Sequence, residues 1–361
     1  MGDSTEYNLQ FEKIKSEEED SHITLPDYQI LSYPADFTVE VLNNKMVSGD
    51  IEVRPYQRRY IWKQYQATRL IESFLVGLPV PPIFLYTDPV TEKFNVIDGQ
   101  QRLRTIQYFI EGHFGSEQKG KATIFRLKEL SEKSRWYNKT YQELSGEDKR
   151  KLLNCVLRAI IVKQLDPKND TSIYHIFERL NTGGTLLTNE EIRNSIYNGK
   201  FNDLLKKLNK NENWKLLIGK PLDDSRQKDI ELILRFISLY YNGQNYEKPL
   251  KDFMTIFMSK NRNPSDDFLS EIETIFNTTC EKIYTHLGGK PFKIKSGLNP
   301  AALDSIMVSF AKNLNDIPSD IKERYQNLVA NDTYKLLIRN ATTDETTMNN
   351  RMNLADEILF H

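Results

Sequence analysis

Apolar positions along the chain recur with two different periods, and the places where one gives way to the other outline the fold. Thr38 to Met46 predicts a short helix with Val39, Val41 and Leu42 inward, ended by Gly49. Ile51-Glu52-Val53 is a short strand stopped by Pro55. A helix over 64–76 places Leu70, Ile71, Phe74 and Leu75 on one face and ends at Gly77. Pro79, Pro81 and Pro82 then hold an extended run that delivers Ile83 to Tyr86 as a strand, turned by Asp88-Pro89. Phe94 to Ile97, rich in β-branched and aromatic residues, pairs back on it. From Gln101 the period changes, and Leu103, Ile106, Phe109 and Ile110 share one helical face.

Gly112 to Gly115 reads as a loop, and the charged segment 116–150, with Leu127, Leu130, Trp136 and Tyr141 scattered through it, as decoration of the first domain. Cys155 to Val162 is the most strand-like run and belongs in the middle of the sheet. A helix from about 170 to 180 ends in Asn181-Thr182-Gly183-Gly184, and a new one starts at Thr188 with Glu191 completing a capping box. Beyond Phe201 the pattern is helical throughout. Ile230 to Tyr240 is apolar nearly all round, and Phe253 to Met258, Leu269 to Phe276 and Ala302 to Ala311 add further stripes. The expected fold is α+β. A polar, acidic arm over residues 1–22 precedes a small mixed-sheet domain over 23–165 and a mainly helical domain over 166–361.

Composition narrows the picture. Hydrophobic content of 39% with 27% charged residues describes a soluble globular chain. No apolar run approaches the roughly eighteen residues of a membrane span, and two cysteines, Cys155 and Cys280, fit a reducing cytoplasm. With 49 Lys and Arg against 50 Asp and Glu the net charge is -1, so any contact with DNA must come from a local basic patch.

The chemistry concentrates at the strand-to-helix turn Asp98-Gly99-Gln100-Gln101-Arg102. Strand, tight turn and helix point several backbone N–H groups at one spot, which the helix dipole makes favourable for an anion such as phosphate. Four polar or charged side chains in five residues exceed what a turn needs; the plain alternative is that Asp98 caps the helix and Arg102 sits in water. Pro55 to Trp62 carries three aromatics and two arginines that suit a base or phosphate, with Gln57 and Arg58 facing the site and Trp62 in the core. A second polar group, Arg179, Asn181 and Arg193-Asn194, surrounds the Gly183-Gly184 bend, where glycines let backbone amides approach a ligand.

These residues resemble a known family. VIDGQQRLRTI, around Asp98 to Arg102, is similar to the DGQQR signature of the family that forms the N-terminal part of GmrSD-type modification-dependent restriction enzymes. The likeness extends, in the family's order, over YPADFTVEVL (33–42), IEVRPYQRRYIW (51–62), LPVPPIFLY (78–86) and IFERLNTGGTLLTNEEIRN (176–194), and more loosely over RQKDIELILRF (226–236). That family is grouped with the ParB/sulfiredoxin-like fold, in which the corresponding corner holds nucleotide phosphates. The resemblance implies a nucleoside triphosphate with Mg²⁺, hydrolysed as the switch of an antiphage or restriction system together with a partner nuclease or toxin. Gln100, Gln101 and the amides after Gly99 would then hold phosphates, Arg102 would neutralise charge developing in transfer, and Asp98 would order water or Mg²⁺. In the family the 176–194 segment faces this corner, which carries Arg179 and Asn181 to it. Two other readings stand beside this one: a non-catalytic nucleotide- or DNA-sensing module, and a nuclease that nicks DNA at the DGQQR corner itself. Larger relatives carry a C-terminal HNH nuclease built on clustered His, Asp and Asn. Here His22, His113, His175, His286 and His361 are dispersed, so the chain resembles the family's first half standing alone.

Overall fold

The computed structural model describes residues 29–52, 60–89, 91–118, 121–165, 172–180, 188–219, 227–295 and 297–361. The expected acidic arm, residues 1–22, lies outside them. The chain divides into two units, one spanning residues 27–186 and the other holding 187–361, whereas the sequence pattern placed the division near residue 165.

The first unit is built on strands β1 (Ile30–Thr38), β2 (Ile51–Glu52), β3 (Ile83–Thr87), β4 (Phe94–Asp98) and, further along the chain, β7 (Val156–Gln164). They form one mixed sheet in the order β1-β7-β3-β4-β2. β3 lies in the middle, parallel to β7 and antiparallel to β4, while β1 pairs antiparallel with the outer side of β7. β7 therefore occupies the interior position expected of it. Its alternation is plain, with Leu157, Ala159 and Ile161 buried and Val156 and Arg158 exposed. The strand β1 has no counterpart in the sequence reading. Most of it is exposed and it contains Pro34, which lacks the N–H that a central strand needs and suits an edge position.

Helices α1 (Val39–Ser48), α2 (Gln64–Val76) and α3 (Gln100–Glu111) carry the apolar faces read from the pattern except at Val41, which was expected inward but is exposed because it lies half a turn round the helix from the buried Val39; Gly49, Gly77 and Gly112 close the three helices in the left-handed conformation. After α3 the chain forms a hairpin, β5 (His113–Gln118) and β6 (Lys121–Ile124), in place of the expected loop. The segment leading to α4 (Gly146–Asn154) is more than decoration, since Phe125, Leu127, Leu130 and Leu144 are buried in the same core as α3. Phe109 lies at the centre of that core, edge-on to Phe125 at 5.1 Å and to Tyr141 at 6.0 Å between ring centroids. Removing its ring leaves a cavity that rigid aromatic neighbours cannot fill, so Phe109→Ala should lose about 3–5 kcal/mol of stability in urea denaturation. A loss under about 1 kcal/mol would mean that this core collapses freely. The last element of the unit, α5 (Ser172–Leu180), packs on β4 and so belongs with the sheet.

The second unit is helical: α6 (Asn189–Ile196), α7 (Lys200–Leu208), α8 (Glu212–Ile218), α9 (Lys228–Asn242), α10 (Leu250–Lys260), α11 (Asp266–Leu287), α12 (Pro300–Lys312), α13 (Ile321–Ala330), α14 (Asp332–Leu337) and α15 (Glu345–Phe360). α12 is buried along nearly its whole length and touches α9, α11 and α15. Thr188 and Glu191 cap α6 reciprocally as expected: Thr188 Oγ1 accepts from the Glu191 amide at 3.2 Å, and Glu191 Oε2 accepts from the Thr188 amide at 2.6 Å. Arg193 and Asn194, read from sequence as candidates around a ligand bend, are fully buried and tied to Glu190, with Arg193 Nη2 also 3.0 Å from Glu231. Burial pushes the Glu190 carboxyl up to about 7, Arg193 opposing the shift and Glu231 adding to it. A glutamate raised in this way keeps its proton in the folded chain where the unfolded chain has lost it. Its contribution to stability therefore falls as pH rises from the ordinary glutamate range to about 7. Glu190→Gln should flatten melting temperature against pH across that window; an unchanged slope would mean the carboxyl is charged throughout. Among the described residues no helix is long and apolar enough to cross a membrane.

Candidate functional site

The corner between β4 and α3 is shaped by Gly99, whose φ of 98° and ψ of 8° fold the chain straight from strand into helix. There is no room there for anything larger, because a Cβ on Gly99 would collide with Ile83 Cγ2 and stand 2.8 Å from Ile83 Cβ and 3.3 Å from Arg102 Nη2. Gly99 is also the N-cap of α3 and has no side chain with which to cap it. Asp98 does not fill that role. Its Oδ2 accepts from Arg102 Nη2 at 2.6 Å, one helical turn on, and its carboxylate is 51% exposed.

Arg102 is not in open water either. Its side chain is only 15% exposed, and Nη2 also donates to the Pro82 carbonyl at 3.2 Å, just before β3. The two bonds hold the guanidinium across the turn, leaving Nε buried with no hydrogen-bond partner among the described residues. Gln100 is half-buried in the first turn of α3. Gln101 faces the segment 60–62, where its Oε1 accepts from the amides of Ile61 at 3.1 Å and Trp62 at 3.3 Å. One turn further on, the Thr105 hydroxyl donates to the Gln101 carbonyl at 2.7 Å and lies 2.8 Å from the Tyr60 hydroxyl. Burial pushes the Tyr60 hydroxyl up to about 12. Trp62 is half-buried against the core rather than enclosed in it.

Of the other residues singled out from sequence, Arg179 is exposed near the end of α5, on the helix that packs against β4. Gln57, Arg58 and Asn181 lie outside the described residues. Among the described residues no three His, Cys, Asp or Glu side chains gather as a metal-binding group. Pro82 and Thr105 were not foreseen, and Tyr60, one of the aromatics read as suiting a base, instead bonds to Thr105. Thr105, four residues after Gln101 on one helix face, was the one signal that could have pointed to them.

The corner thus brings together the first backbone amides of a helix, whose dipole favours an anion, and a braced guanidinium, with the half-exposed Asp98 carboxylate beside them. Residues 39–198 match the family described as the GmrSD restriction endonuclease N-terminal domain, and this segment belongs to that family. No curated protein matches the chain.

Proposed function

We propose that this bearer of a GmrSD N-terminal domain is the nucleoside-triphosphate-binding and hydrolysing component of a restriction system, acting with a partner nuclease or toxin. The observation that carries the reading is the α3 start: a glycine N-cap with no capping side chain, beside a carboxylate–guanidinium pair. An uncapped helix N-terminus has donors left for phosphate oxygens and a dipole that favours their charge. Phosphate contacts fall to the amides after Gly99 and to Gln100, with Arg102 held where it can offset charge on the transferring phosphoryl group. Gln101 has its Oε1 engaged by the amides of Ile61 and Trp62, which ties it to the segment 60–62. Asp98 fits Mg²⁺, a cation that needs one or two protein carboxylates and takes its other ligands from phosphates and water. Bound there, the ion would supply charge neutralisation at the phosphates.

Phosphate release from ATP, GTP, CTP and UTP with Mg²⁺ tests the reading directly. Turnover of at least one, abolished in Asp98→Asn, is expected, with plasmid DNA left intact by the purified chain. Release from none of the four, with or without DNA, would count against hydrolysis. Metal-dependent nicking lost in Asp98→Asn would move the reading to a nuclease at the same corner.

Arg102→Ala should weaken nucleotide binding at least tenfold. It should also cost about 1–3 kcal/mol of stability, since the guanidinium donates to Pro82 and Asp98. Binding titrations and melts on the same sample check both. Unchanged affinity in a destabilised variant would make Arg102 a structural brace alone.

A further inference from the structure

The side chains of Gln101 and Thr105 both engage residues 60–62, Gln101 at the backbone and Thr105 at the Tyr60 hydroxyl. Gln101 Oε1 accepts two consecutive amides, from Ile61 and Trp62. Thr105 Oγ1 donates its hydrogen to the Gln101 carbonyl, so the Tyr60 hydroxyl must be the donor in its bond to Thr105. The result is a relay, Tyr60 to Thr105 to the backbone of Gln101, running beside the Gln101 clamp. Three successive residues, 60, 61 and 62, are thereby fastened to two turns of one helix. The fastening is well supported: Thr105 is fully buried, and the Tyr60 ring packs edge-on against Tyr108 at 5.1 Å and Phe114 at 5.6 Å. None of these polar bonds is needed to form α3, whose backbone ladder is complete without them. Their effect is to fix a non-helical segment beside the first turn of α3, the turn that carries the proposed phosphate contacts.

We propose that Gln101 and Thr105 are positioning residues of the nucleotide corner. Gln101 acts as a hydrogen-bond acceptor that locks the backbone of residues 60–62 against the start of α3, with Thr105 and Tyr60 as a second lock one turn further on. This rests on the nucleotide reading above. It separates the two glutamines of the motif by function: Gln100 contacts phosphate, and Gln101 builds the wall beside it.

The two roles for Gln101 use different atoms of its amide and so respond differently to substitution. A phosphate ligand must donate through Nε2, and a glutamate in its place would repel the anion. A clamp needs an acceptor, which glutamate supplies and methionine does not. The test uses the full chain with Gln101→Met, Gln101→Glu and Tyr60→Phe, and reads hydrogen exchange at the Ile61 and Trp62 amides without nucleotide. Affinity for ATP and GTP with Mg²⁺ is read in parallel. Gln101→Met should speed exchange at both amides by roughly two- to tenfold, the worth of one lost hydrogen bond, and Gln101→Glu should restore wild-type protection. Tyr60→Phe, whose missing hydroxyl meets Thr105 rather than a phosphate, should still weaken nucleotide affinity by a few-fold. Wild-type exchange in Gln101→Met, or faster exchange with Tyr60→Phe and Gln101→Met both binding nucleotide like the wild type, would overturn the proposal. If the wild type itself binds neither nucleotide, nor CTP or UTP, the reading of the corner has failed and the positioning role with it; the exchange data then establish only the clamp.

Discussion

Gly99→Ala should cost about 2–5 kcal/mol of stability, more than alanine costs at most glycines. Two effects add at this position. A left-handed residue with a Cβ is strained by about 1–2 kcal/mol, and φ at Gly99 is 98°. The methyl would also strike the side chain of Ile83, fully buried at the start of β3 between its neighbours β7 and β4. Ile83 has nowhere to retreat, and overpacking of this kind adds about 1–3 kcal/mol. Gly77 provides the control. Its φ of 92° is as left-handed, but a Cβ there meets nothing within 4 Å, so Gly77→Ala should show the backbone strain alone. Urea midpoints at constant m-value separate the two. Equal losses in both variants would mean that the clash relaxes and that the tightness of the corner has been overstated.

Asp304→Ala is the second large effect, in the helical unit. Asp304 is fully buried in α12 and receives Arg235 Nε at 2.8 Å on both oxygens, with Arg235 Nη2 at 2.7 Å and Arg351 Nη2 at 3.7 Å. Arg351 is itself fully buried and donates to the carbonyls of Leu337 and Thr342. Burial raises the Asp304 carboxyl and lowers the Arg351 guanidinium, with each partner opposing the other's shift. Deleting the carboxylate leaves two guanidiniums in a dry interior without their counter-charge, which should cost about 3–5 kcal/mol. Replacing all three side chains with apolar ones of similar volume should cost far less, because the expense lies in the stranded charge. Thermal melts of the single and triple variants decide this; equal losses would show that the network stabilises the unit in its own right.

The elements that were legible in the sequence are those whose apolar stripe is regular and closed by punctuation. α1 ends at Gly49 and α2 at Gly77, and both stand where the periodicity placed them. Irregular burial hid the rest. β1 shows almost no apolar face because it is an exposed edge, and Phe125, Leu127, Leu130 and Leu144 enter the core one at a time from a charged segment with no period. At the site, the Asp98-Gly99 break and the excess of polar groups were visible because they are contiguous. The bonds from Gln101 to residues 61 and 62 and from Thr105 to Tyr60 join positions about forty residues apart, which no local pattern encodes. Arg193 and Asn194 mislead in the opposite direction: clustered polarity beside a glycine loop looks like a site, yet the buried Glu190 carboxylate accounts for it.

The most direct test of the central claim is an equilibrium titration of the full chain with ATP and GTP in the presence of Mg²⁺, read by calorimetry. The account predicts saturable binding of at least one of them at one site per chain, with the affinity lost in Arg102→Ala and retained in Glu190→Gln, a change within the helical unit. A chain that is folded by its melting curve yet binds neither nucleotide, nor CTP or UTP, would contradict it.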